Sequence, residues 1–333
     1  MKFNLSTSKR TLTLAGLSVG ILLLAIPAIA ADLLSLVPEK AVAVGMVDMD
    51  DLRSSPVTSR LFDDTDRITT EGEARRFLED AGLDPARDVD RVMIAVSPAE
   101  NDSSDGSILV AAEGRFDVSR LSAAVAREGA IPQPAHGKTY FVLPNDADDE
   151  DHRAGAVAFV SGSLSILGTE SAVTDALGAL ARGGTDFRSA SPIGRDLRLV
   201  DRSASAWMIM DVQRAARMKK SSDGIEIGGG HADQLGAAMK HISTIAVWGS
   251  SGKDALTFGG TALSADSETR QLLDDTVRGL LAMWRLAAQE EHPEWVPILR
   301  DFKVDQTSDG VTLKGSIPAS IIEEHAKKIA ANQ

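Results

Sequence analysis

Two patterns of apolar residues run along this chain. Short runs rich in β-branched and aliphatic residues, bounded by polar turns, have the length and composition of strands. Longer stretches repeat at i, i+3/i+4 and i+7, the spacing of a helix with one buried stripe. The first pattern predicts strands over 41–49, 91–97, 108–114, 139–143, 156–160 and 164–167, and again over 205–212, 241–248, 256–262, 302–305 and 311–314. The second predicts helices over 73–81, 118–127, 172–181, 232–240, 267–289 and 319–330. In the longest of these, Leu273, Val277, Leu280, Leu281, Trp284 and Ala288 keep the spacing of a buried stripe. Asp117 and Asp266 stand where an N-cap carboxylate would accept the first free backbone N–H groups.

Polar, glycine-containing turns at 101–106, 161–163, 250–254 and 308–310 join neighbouring strands into hairpins. The resulting order is strand, helix, hairpin, helix, hairpin, helix, and it occurs twice. It predicts an α+β fold of two tandem related halves, each a mainly antiparallel sheet with helices packed on one face. Residues 31–188 form the first half, 189–204 the linker and 205–333 the second half. Two polar excursions, 145–153 and 219–230, read as exposed loops.

A different pattern opens the chain. Lys9 and Arg10 precede an apolar run from Leu12 to Ile26, which Pro27 ends, and Ala28-Ile29-Ala30 follows. A basic start, an apolar middle and small residues at the −3 and −1 positions describe a secretory signal peptide, residues 1–30. The protein is therefore expected in the periplasm or outside the cell. The alternative is an uncleaved N-terminal anchor, since the run is about long enough to span a bilayer. No later stretch approaches that length, so no integral membrane segment is expected after cleavage.

Composition narrows the functional classes. There is no cysteine, so disulfides, thiolate metal sites and thiol nucleophiles are all excluded, as is a lipid carried on cysteine. Aromatics make up 4% of the chain, so the core must be aliphatic. Without Lys2, Lys9 and Arg10 of the signal region, 32 basic residues face 48 acidic ones, and the net charge moves from −13 to −16. Nucleic acid and an anionic lipid surface both need a positive partner surface, so neither is an expected partner.

Motifs with chemistry fail on inspection. Asp146, Asp148 and Glu150 sit at positions 1, 3 and 5 of a calcium loop, but Asp151 and Val157 stand where the turn glycine and the bidentate glutamate belong. Gly137-Lys138-Thr139 lacks the upstream glycine of a phosphate loop. Ser250 and Lys253 have the spacing of an acylating serine pair, but they lie in a hairpin turn without companion elements. Three residues stay as candidates. Asp48 and Asp211 end matched strands, and could do acid–base work only if the fold brings them together. Trp295, between Pro293 and Pro297, could anchor a partner. The reading is an exported envelope protein that binds rather than catalyses, needs no cofactor, and meets another envelope protein or a surface glycan. The alternatives are a hydrolase-type enzyme with dispersed acidic residues and a calcium-stabilised surface protein.

The cleavage site gives a direct test. The exported protein should begin at Ala31 or Asp32, as read by N-terminal sequencing or intact mass. A full-length species extracted with the membrane would support the anchor instead.

Overall fold

The computed structural model describes residues 32–59, 73–98, 106–144, 155–218 and 241–324. The signal segment, the acidic loop at 146–151 and the helix expected over 232–240 lie outside the described residues. Residues 31–333 form one compact unit.

Twelve strands make one antiparallel sheet. The first half supplies β1 (Ala43–Asp48), β2 (Val89–Ser97), β3 (Ser107–Gly114), β4 (Ile131–Ala135), β5 (Lys138–Val142), β6 (Gly155–Ser161) and β7 (Leu164–Thr169). The second supplies β8 (Ala206–Asp211), β9 (Thr244–Ser251), β10 (Ala255–Leu263), β11 (Lys303–Gln306) and β12 (Gly310–Pro318). Their spatial order is β11-β12-β10-β9-β8-β1-β2-β3-β7-β6-β5-β4. The fold is α+β, as the hairpin pattern implies. From the central β1–β8 pair outwards, the order is first strand, hairpin, then the second hairpin with its later strand inside. This holds on both sides.

β4 was not evident from the sequence, because Pro132 and Pro134 interrupt it. Prolines two residues apart turn their nitrogens to the same side, and β4 is an edge strand with no neighbour there. That is the position in a sheet where proline costs no ladder hydrogen bond.

Both faces of the sheet carry apolar residues, so helices pack against both. One face holds the main core. There Val44, Met93, Ala111, Ile166 and Ile209 are fully enclosed beneath helix α4 (Glu170–Arg182) and the 3-10 turn Leu33–Leu36. Burying each large aliphatic side chain is worth about 1.5–3 kcal/mol. The segment between the halves belongs to this layer. Its short helices Phe187–Ala190 and Pro192–Arg195 place Phe187 and Ile193 at 0% exposure. Trp207 and Trp248 are cross-strand neighbours on this face. Trp248 lies over Gly259, where a Cβ would come within 2.6 Å of the indole ring.

Among the described residues, the opposite face is covered only towards its two ends. Over the first half, α2 (Glu73–Ala81) and α3 (Val118–Arg127) pack Phe77, Leu121 and Val125 onto Ala112, Val157 and Phe159. Over the second, α6 (Ser267–Glu291) packs Leu273, Val277 and Leu281 onto Val311, Leu313 and Ala262. The short α7 (Trp295–Asp301) packs beside it. Trp284 departs from the burial expected of the stripe. It lies on the same helix face as Leu273 and Val277, yet is 54% exposed, because it lines the open space between this helix and α7 rather than packing on the sheet.

One buried charge contributes to the pH response. Glu113 on β3 pairs with Arg91 on β2 at 2.5 Å, yet is only 8% exposed, and its Oε1 has no hydrogen-bond partner among the described residues. Burial raises its carboxyl above the usual value of 4.5, outweighing the lowering effect of Arg91. The folded state thus favours the protonated acid. That contribution is complete below the ordinary value and is lost as pH rises through the raised one. Unfolding of wild type and Glu113→Gln in denaturant should therefore show the variant gaining in relative stability as pH rises above the ordinary value of 4.5. A difference independent of pH would contradict this assignment.

Candidate functional site

The central strands read unlike ordinary half-solvated strands. Val44-Gly45-Met46-Val47, Val92-Met93-Ile94-Ala95-Val96 and Trp207-Met208-Ile209-Met210 are apolar at consecutive positions, the pattern of a sheet buried on both sides. Among the described residues, only one side is covered. On the other, the cross-strand register sets Val247, Met208, Gly45, Ile94, Val110 and Leu167 in one row over six strands. Val247, Met208, Ile94 and Leu167 are 40–44% exposed. Large apolar side chains in a contiguous exposed row mark a contact surface more often than chance scatter does.

This row crosses the floor of an open trough of about 510 Å³, lined by β1, β2, β8 and β9. No titratable side chain lines it. The backbone N–H and C=O groups of the floor are engaged in the strand ladders, so the floor offers neither charge nor free hydrogen-bonding capacity. Two further apolar cavities lie on the same face. One, about 440 Å³, opens between the sheet and α2/α3 near Phe77, Leu121 and Phe159. The other, about 540 Å³, opens beneath α6/α7 near Trp284, Trp295 and Phe258.

At one edge of the trough a cluster of hydroxyl groups ties the halves together. Ser251 Oγ donates to Ser55 Oγ at 2.6 Å and lies 3.0 Å from Thr58 Oγ1. Ser205 Oγ donates to Asp51 and accepts from Ser251 N at 2.8 Å. The cluster contains neither histidine nor lysine to activate a hydroxyl, and its partners are mutually satisfied. It fastens helix α1 (Met49–Ser54) and the residues after it to the end of β9.

Asp48 and Asp211 are kept apart. β1 and β8 run antiparallel, so their C-terminal ends point in opposite directions. Asp48 N bonds to Ser205 O and Asp211 N to Val42 O. Six residues of strand therefore separate the two carboxylates, about 20 Å. Each caps a helix: Asp48 Oδ1 accepts from Asp51 N at 2.9 Å, and Asp211 Oδ1 accepts from Arg214 N at 2.9 Å at the start of α5 (Val212–Met218). Trp295 heads α7 and lines the cavity beneath α6. The three sequence candidates therefore do not meet. The trough, which sequence reading passed over, is signalled by the unbroken apolar runs of the central strands. Among the described residues no group of three or more histidine or acidic side chains is placed to hold a metal ion. None of the described helices is long and apolar enough to cross a membrane.

No protein-family model matches the chain, and no curated protein matches it. Among solved structures, crystal forms of the protein TP0453 are similar over most of their length. Form III has 10% identity and a TM-score of 0.49, covering 86% of this chain and 94% of that one. Form IV has 9% identity and a TM-score of 0.48, covering 87% and 94%.

The capping geometry gives an expected outcome. Asp48→Ala and Asp211→Ala should each lower unfolding free energy by about 0.5–2 kcal/mol, measured by denaturant titration. The two losses should add in the double variant, because the sites are far apart. Strong non-additivity would mean that the carboxylates communicate after all.

Proposed function

We propose that this protein is an exported, non-enzymatic binding module of the cell envelope, working in the periplasm or outside the cell, and that it contacts its partner through the central trough. The observation that carries this reading is the bare middle of the sheet. Strands with the sequence pattern of two-sided burial are left uncovered on one side by the described residues, between helices that cover both flanks. The reading as an exported protein rests on the signal pattern at residues 1–30. The separation of Asp48 from Asp211 supports binding over dispersed-acid catalysis. The lining favours an apolar partner over a surface glycan, because sugar hydroxyls would find no hydrogen-bond partner on the floor. The two halves are read as copies of one unit, since their strand order outward from the centre is the same, and the trough then straddles the junction between copies.

A solvent-sensitive apolar dye such as N-phenyl-1-naphthylamine should brighten on binding wild type. Ile94→Asp and Met208→Asp place a carboxylate in the exposed row, outside the core. Each should weaken dye binding by more than about tenfold while the unfolding midpoint moves little. Equal binding by wild type and both variants, or no binding by wild type, would remove the trough from consideration.

A further inference from the structure

Beside the row of large side chains runs a second row with a different composition. Two residues along each strand, the same register brings Gly249, Ala206, Val47, Val92, Ala112 and Ser165 into line across β9, β8, β1, β2, β3 and β7. Most of these side chains are small, whereas Val247, Met208, Ile94 and Leu167 in the neighbouring row are large and stand clear of the floor. A row of small side chains beside a ridge of large ones makes a groove that runs across the strands. On its other side, the next residue of β9 on this face is Ser251, which Ser55 and Thr58 cover through their hydroxyl contacts.

The groove has length and two apolar ends. The open floor spans β9, β8, β1 and β2, and at about 4.8 Å per strand the whole row runs roughly 24 Å to β7, its last two residues lying beneath α2/α3. Its row continues to Phe258 on one side, paired with Gly249, and to Phe159 on the other, paired with Ser165. Phe258 lines the cavity beneath α6/α7, and Phe159 and Ser165 line the cavity beneath α2/α3. The three apolar spaces therefore lie along one row of the sheet.

The geometry points to a single extended acyl chain, the hydrocarbon tail of a fatty acid or lysolipid, as the ligand of this groove. This rests on the binding role proposed for the trough and names its ligand class. Length and chemistry select it together. One leaflet of a bilayer holds chains about 15 Å deep, about the span of the open floor across β9, β8, β1 and β2. A peptide lying there would leave its backbone N–H and C=O groups without partners, since the ladders of the floor are already filled. A flexible unbranched hydrocarbon asks only for apolar contact along its length.

Competition against the bound dye tests this. Decanoic, dodecanoic, tetradecanoic and hexadecanoic acids, each below its micellar concentration, should displace the dye in that order of increasing strength. A methylene half-removed from water adds about twofold in affinity, so each two-carbon step should gain about fourfold. Palmitoyl-lysophosphatidylcholine separates the two sources of the chain. Competition equal to that of hexadecanoic acid means that the tail alone is recognised, and stronger competition by one identifies the preferred headgroup. Gly249→Leu fills the groove from a position where a Cβ meets nothing nearer than 3.8 Å. Ala206→Leu fills the adjacent position. Each should weaken hexadecanoic acid binding by about tenfold or more with the fold intact by circular dichroism. If one variant fails to fold, the other decides. Displacement independent of chain length, or unaffected by a folded groove-filling variant, would overturn the acyl-chain assignment while leaving dye binding, and the trough, in place. Absence of dye binding to wild type would instead remove the trough itself.

Discussion

The antiparallel pairing of β1 with β8 is the constraint on which the rest of the structure depends. It runs from Ala43 opposite Met210 to Val47 opposite Ala206 and joins two sets of strands into one sheet. Without it, each set would expose an edge of unpaired backbone groups and a strand rich in Val, Met and Ile, a template for aggregation. With it, Val44, Trp207 and Ile209 come together on one face, beneath helices and turns from both sides of the junction. The same pairing aligns Gly45 with Met208 and Val47 with Ala206 on the other face, which makes the trough continuous across the two halves.

Cover on the two faces is unequal for a reason that lies in the connections. The Leu33–Leu36 turn precedes β1, and the segment from Phe187 to Leu199 leads into β8. Both lie over the same face of the middle strands, and their leucines, Phe187 and Ile193 fill the core there. The helices of the opposite face follow hairpins further out. α3 follows β3, and α6 follows β10, so they lie over the outer strands and leave the middle between them. An open apolar floor is thus a product of topology. Its continued exposure is unfavourable unless something covers it, and a ligand that does so would stabilise the folded state by mass action.

Rigidity near the groove comes from polar groups at the strand ends rather than from more apolar packing. The contacts among Ser55, Thr58, Ser205 and Ser251 hold α1 and the chain after it to the second half. The caps made by Asp48 and Asp211 fix where β1 and β8 stop. Residues that resembled candidate acids in the sequence therefore act as endpoints of the two strands that frame the trough. Their chemistry is that of hydrogen-bond acceptors for free helix N–H groups.

Much of the secondary structure was legible in the sequence because its causes are local. The helices at 73–81 and 118–127 lie where apolar period and turn residues place them, the second capped by Asp117, and the hairpins follow from strand runs joined by polar turns. The α+β class follows from the order of those elements. β4 was hidden because its prolines are acceptable only at a sheet edge, and which strand becomes an edge is decided by the other eleven. The exposure of Trp284 was likewise not legible, since a stripe shows which residues share a helix face but not how wide the covering sheet is. Above all, the unbroken apolar runs of β1, β2 and β8 state that both faces avoid water. They do not state what covers each face. Only tertiary structure decided that helices cover one face and leave a groove on the other, because cover depends on where distant connections return, not on the residues of the strands themselves.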